Sequence, residues 1–180
     1  MIFDKIKLRA PEPEDLTMLY EWENDPAVWQ ISNTLTPFSK YTLRKYIENS
    51  GKSVFETGQL RFMIEIIETK KPIGTIDLFD FDPFHLRAGV GLLLADIEER
   101  RKGYAEMSLR CLVDYCFSHL KLHQLYCNIT EDNKPSISLF KKIGFREIGH
   151  KKDWIRGDKG FKDEIMFQMI NPRKGVQYPE

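Results

Sequence analysis

Apolar and polar residues alternate over Ile6-Lys7-Leu8-Arg9, which is the two-residue period of a short strand. Pro11 and Pro13 then break the pattern, and Glu12, Glu14 and Asp15 suit the positive end of a helix. Leu16, Leu19 and Tyr20 supply the apolar stripe of that helix to about Asn24, where Asp25-Pro26 ends it. Ser39 is an N-cap candidate for a second helix carrying Leu43, Tyr46 and Ile47 on one face. Arg61 to Glu68 and Ile73 to Phe81 read as two strands around the turn Thr69-Lys70-Lys71-Pro72. Val90 to Ala95 is apolar on both alternating faces, as a central buried strand requires.

Gly103 to about His119 has helical spacing, with Ala105, Leu109, Leu112 and Cys116 in line. Leu125 to Thr130 is strand-like. Asn133 then caps a helix that tolerates Pro135 in its first turn and stops at Gly144. Phe145 to Gly149 and about Phe161 to Ile170 complete the set as strands. The order β-α-α-β-β-β-α-β-α-β-β predicts an α/β (α+β) fold: a mixed, mostly antiparallel sheet of about seven strands with helices on both faces. One domain over residues 1–170 is expected, with residues 171–180 as a loose tail rich in Pro and Gly.

Charge changes the picture by exclusion. Lys plus Arg equals Asp plus Glu at 27 each, so the basic excess of a nucleic-acid binder is missing. The N-terminus lacks an apolar signal core, and the longest apolar run is far below the ~20 residues of a membrane span. The three cysteines, Cys111, Cys116 and Cys127, form no C-x-x-C, so reduced thiols in a cytoplasmic protein are expected. The four histidines show no H-E-x-x-H spacing, and no metal site is expected.

The most informative segment is Glu98-Glu99-Arg100-Arg101-Lys102-Gly103-Tyr104-Ala105, between the apolar strand and the amphipathic helix. A helix start exposes unpaired N–H groups and partial positive charge, which together hold a phosphate or pyrophosphate. Gly103 permits close approach of an anion, and the three basic residues would otherwise oppose the dipole. The G-x-x-x-x-G-K-[ST] and G-x-G-x-x-G loops are both absent. A solvated basic helix end is the simpler alternative.

Arg100-x-x-Gly103-x-Ala105 is similar to the [QR]-x-x-G-x-[GA] loop of the GNAT acyltransferases. Asn133-x-x-Ser136-x-x-x-Phe140-x-x-x-Gly144-Phe145 resembles a second segment of that family, as do Lys7 to Leu16 and the Lys71-Pro72-Ile73-Gly74 turn. The resemblance spans about Ile6 to Ile170. It implies an N-acetyltransferase moving acetyl from acetyl-CoA to a primary amine, a protein N-terminus first and a polyamine such as spermidine second. The closest look is to ribosomal-protein-alanine and spermidine N-acetyltransferases. It also leaves room for a homodimer.

By the same resemblance, the amides of Arg100, Arg101, Lys102, Gly103, Tyr104 and Ala105 would hold the pyrophosphate. The pantetheine arm would lie where the Val90–Ala95 and Leu125–Thr130 strands diverge, like an added strand. Backbone groups of Leu93, Leu94 and Ala95 would hold it, one as an oxyanion donor, with Asn133, Ser136 and Phe140 further along. For the amine's proton, Asp77 is a candidate base, although a solvated strand carboxylate is the simpler reading. Asn128 stands near a glutamate of some relatives and would need a water. Phe140 stands where many relatives have a tyrosine acid and has no proton to give; it also reads as core. Tyr126, Ser138 and Cys127 are nearby substitutes. Arg101 stands where glycine is common. A non-catalytic CoA-binding or interaction module on the same fold is the alternative.

Overall fold

The computed structural model describes residues 1–32, 34–157 and 160–172. Eight strands form one sheet: β1 (Ile2–Phe3), β2 (Ile6–Arg9), β3 (Leu60–Ile66), β4 (Lys71–Asp82), β5 (Arg87–Leu94), β6 (Gln124–Thr130), β7 (Arg146–Gly157) and β8 (Gly160–Ile170). The spatial order is β1-β2-β3-β4-β5-β6-β8-β7. Every adjacent pair is antiparallel except β5 and β6. The helices are α1 (Leu16–Glu23), α2 (Pro26–Ser32), α3 (Lys40–Asn49), α4 (Val54–Thr57), α5 (Tyr104–Ser118) and α6 (Lys134–Ile143).

The mixed α/β architecture is the expected one, with differences of detail. The strand count rises to eight because Ile2–Phe3 adds a short edge. Asp25-Pro26 does not simply end a helix. Asp25 Oδ1 accepts from the Ala27 amide at 2.8 Å, and Pro26 begins α2 in the position where its missing N–H costs nothing. β7 runs on past Gly149 to Gly157 because it pairs along β8 through two register shifts. Asn171 is tied down, its amide donating to the His123 carbonyl at 2.8 Å, so the loose-tail reading fails at that residue. Residues 173–180 lie outside the described residues.

Successive residues of β3 serve opposite faces of the sheet. Ile64 joins the larger core with Leu109, Leu112 and Cys116 of α5, Phe140 and Ile143 of α6, and Ile76, Leu125 and Phe167 of the sheet. Met63 joins a smaller core with Leu19 of α1 and Leu43 and Ile47 of α3. At ~25 cal/mol per Å² of apolar area removed from water, these two faces carry most of the folding drive. The cysteines are all free and buried within this packing. Among the described residues, no helix is long and apolar enough to cross a membrane.

Candidate active site

The sheet opens at its centre. β5 and β6 pair only over Arg87–Gly89 and Gln124–Tyr126. Beyond that, Val90–Leu94 stays with β4 while Cys127–Thr130 stays with β8. The two strands therefore diverge, and the wedge between them becomes a cleft of 190 Å³. Gly91, Leu92 and Leu93 line one wall and Cys127 to Thr130 the other. Asn133, Ser136 and Phe140 of α6 close one side, and Glu23, Val28, Arg61, Thr75, Asp77 and Glu164 the opposite side.

The loop after β5 is locally well determined. Asp96 caps a turn over Ile97–Glu99, its carboxylate accepting from the Glu98 amide at 3.0 Å. Arg100 then turns back, and its Nε and Nη2 donate to the Leu94 carbonyl at 3.1 and 2.8 Å. Its guanidinium is thus spent on fixing the end of β5. Arg101 has φ +65° and Gly103 φ +88°, both in the left-handed region that favours glycine. Gly103 is the N-cap of α5 and offers no side-chain acceptor, so the first amides of α5 keep their N–H groups for another partner. Lys102 and Lys71 pair with Glu99 at 2.9 and 3.5 Å, and Lys71 also with Asp96 at 2.6 Å. The loop's acids thus balance its own Lys102 and Lys71 of β4, while Arg101 is exposed.

Seven of the residues singled out from sequence share the cleft: Asp77, Leu93, Cys127, Asn128, Asn133, Ser136 and Phe140. Leu94, Ala95 and residues 100–105 continue beyond its lining, in the loop just described. Asn133 caps α6, accepting from the Ser136 amide at 3.2 Å. Phe140 is buried and meets Phe145 edge-to-face at 5.0 Å, which is the core role. Both oxygens of Asp77 accept from Arg61, at 2.8 and 3.0 Å. Burial pushes the Cys127 thiol well above the usual range, so it keeps its proton. Ser138 is exposed and outside the lining.

Tyr126 also lies outside the cleft. Its hydroxyl donates to Asp80 at 3.0 Å, in a separate pocket with Asp82, Arg87 and Gln168. The alternation of β6 explains this. Leu125, Cys127 and Ile129 are buried in the α5–α6 core, and Tyr126 points away from it. Burial first, then the Asp80 hydrogen bond, pushes the phenol up to about 12.

Two cleft residues, Arg61 and Glu164, escaped the sequence reading. Arg61 bridges Asp77 and Glu23 and stacks at 5.5 Å on Tyr46. Burial works against its charge, but the two carboxylates raise its pKa well above the ordinary value. Glu164 is 7% exposed and accepts from Lys151 at 2.6 Å, while Lys151 also donates to Asn128 at 3.2 Å. A cross-strand opposite-charge pair is the signal that could have found Arg61 and Asp77. Away from the cleft, Glu131, His150 and Asp163 hold potential ligand atoms within 4.8 Å of one another, brought together by the fold rather than by spacing. Lys152 already donates to Asp163 there at 2.5 Å.

Comparison with known proteins fits this geometry. The chain is 29% identical over 168 residues to the uncharacterized N-acetyltransferase p20 of Bacillus licheniformis, covering 93% of each chain. It is 26% identical over 146 residues to a spermidine N(1)-acetyltransferase of Vibrio cholerae, covering 81% of this chain and 82% of that one. The crystal structure of spermidine N-acetyltransferase from Vibrio cholerae in complex with CoA and spermine superposes with a TM-score of 0.84 at 22% identity, over 93% of this chain and 96% of that one. This last likeness establishes a common fold. The family model of the GNAT acetyltransferase domain matches residues 5–146, and the chain belongs to that family of N-acetyltransferases.

Proposed function

We propose that this chain transfers acetyl from acetyl-CoA to a primary amine, and that the amine is a slender aliphatic one of the polyamine class. The observation that carries the reading is the wedge between β5 and β6 leading to the uncapped N-terminus of α5. Amides of residues 101–105 take the pyrophosphate, as helix starts do. Backbone groups of Val90–Leu93 on the edge that faces β6 hydrogen-bond the pantetheine arm in the manner of an added strand. An amide near Leu93 polarises the thioester carbonyl. Asn133 and Ser136 line the arm, and Phe140 packs beside it as an apolar wall. With no tyrosine at that position, the thiolate leaves unassisted, which a thiol pKa of ~8.5 tolerates.

Two features favour a polyamine over the protein N-terminus ranked first on sequence. The acceptor side bears three carboxylates, Glu23, Asp77 and Glu164, against the cations Arg61 and Lys151. Val28 of α2 adds an apolar surface to the same cleft. The relatives named for spermidine acetylation support the same choice. The test is thiol release from acetyl-CoA with spermidine, a short monoamine and a peptide with a free N-terminus. Release with spermidine is expected to be fastest. If acetyl-CoA raises the melting temperature yet no amine releases thiol, the chain is a CoA-binding module instead.

A further inference from the structure

An amine that attacks a thioester must lose a proton, and the fold limits which group can take it. Among the described residues, three carboxylates line the cleft. Glu23 and Asp77 are both held by the Arg61 guanidinium, a permanent cation in a rigid fork that engages both Asp77 oxygens. Glu164 differs. It is 7% exposed, it sits on β8 opposite Thr130 of the diverging β6 edge, and among the described residues its ion pair is to a lysine on a flexible stem. That lysine also reaches Asn128, so carboxylate, ammonium and amide form one chain along the cleft wall. The Lys151 side chain is 31% exposed, which opens a way from the buried carboxylate to water.

We propose that Glu164 is the proton acceptor of the transfer reaction, with Lys151 and Asn128 as positioning residues; this rests on the acetyl-transfer reading above. The bound alkylammonium passes one proton to a Glu164 oxygen, and its freed nitrogen bonds to the thioester carbon and sheds its remaining extra proton to water. The C–S bond then breaks, the electron pair leaves on sulfur, and Glu164 returns its proton to water past Lys151. The groups facing Glu164 are Lys151 from β7, uncharged Thr130 and Asn128 from β6, and Arg61, Asp77 and Glu23 across the cleft. Lys162, its neighbour along β8, is committed to Asp132 at 2.5 Å.

The experiment is the pH–rate profile of four chains with acetyl-CoA and spermidine: wild type, Glu164→Gln, Glu164→Asp and Lys151→Met. Glu164→Gln should lose ~10²–10³-fold in kcat near neutral pH. Its deficit should shrink as pH rises and the free amine becomes abundant. Its melting shift with acetyl-CoA should match wild type, which a merely structural role would not allow. Glu164→Asp should keep a reduced rate with the wild-type profile shape. Lys151→Met removes the partner that links the carboxylate to Asn128, so kcat should fall while the melting shift with acetyl-CoA is kept. A Glu164→Gln rate within threefold of wild type, or a deficit equal at every pH, overturns the assignment while leaving acetyl transfer standing. A wild-type chain inactive on every amine overturns both. If Glu164→Gln fails to fold, a wild-type kcat in both Glu164→Asp and Lys151→Met overturns it.

Discussion

A β-carbon on Gly74 would lie 2.0 Å from the Leu93 carbonyl oxygen, and the nearest atoms are all backbone. No rotamer change can relieve such a contact. Gly74→Ala must therefore push β5 away from β4 at Leu93 and Leu94, where the thioester carbonyl is proposed to sit. A displacement of ~1 Å can cost ~10²-fold in rate, and overpacking costs about 1–3 kcal/mol. The expected outcome is a lowered melting temperature together with a kcat drop of that order. A variant that melts lower but keeps the wild-type kcat would separate Leu93 from the chemistry. Gly74 was visible in the sequence only as part of a family-like turn; its physical reason lies in a strand pairing that the local pattern does not contain. Arg101 is similar. That glycine is common there was legible, and the φ of +65° explains why. Phe140 was legible as core because its helix stripe is regular.

At the scale of elements, hydrophobic period located most strands and helices, and register decided the rest. The β3–β4 hairpin was expected, yet its register shifts between Ile64 and Glu65. Without that bulge Arg61 would face Ile76 rather than Asp77, since one residue of slip swaps the faces of a strand. The Glu23–Arg61–Asp77 cluster is therefore a product of an irregularity that alternation does not encode. A second cluster joins β2, β3 and the start of α1: Arg9 donates to Asp15 at 2.7 and 2.9 Å and to Glu65 at 2.6 Å. Burial pushes the Asp15 carboxyl up, but the Arg9 hydrogen bonds, the Glu12 amide and the Arg9 charge together hold it below the ordinary 3.8. A carboxyl lowered by folding stabilises the fold above its unfolded pKa, and that contribution fades as pH falls through the folded value. Asp15→Asn, which loses charged hydrogen bonds to Arg9, should be less stable than wild type at pH 7 by about 1.5–3 kcal/mol. The gap in urea midpoints should narrow below roughly pH 4, near the unfolded pKa of aspartate. A gap that stays constant down to pH 2 would mean that Asp15 contributes shape rather than charge.

For the whole molecule, the decisive feature is a sheet that is continuous at one end and split at the other. Single-strand patterning could say that Val90–Ala95 and Leu125–Thr130 are buried strands; their divergence was expected only through the family resemblance. The physical cause is that each strand keeps its outer partner to the end, β5 with β4 to Leu94 and β6 with β8 to Thr130, while the parallel ladder between them stops at Gly89 and Tyr126. Two strand edges thus face each other without bonding, an arrangement that sheets normally avoid because unpaired edge groups invite a partner. If the pantetheine arm is that partner, acetyl-CoA should slow hydrogen exchange at those amides of Val90–Leu94 and Cys127–Thr130 that bond to neither β4 nor β8. It should also slow exchange in the first turn of α5. Amides in the paired part of the ladder, at Gly89 and Tyr126, should change far less, because their partners are already in place. Uniform protection across the sheet would instead indicate global stabilisation by mass action, and protection confined to α5 would show that the phosphates bind while the wedge stays empty.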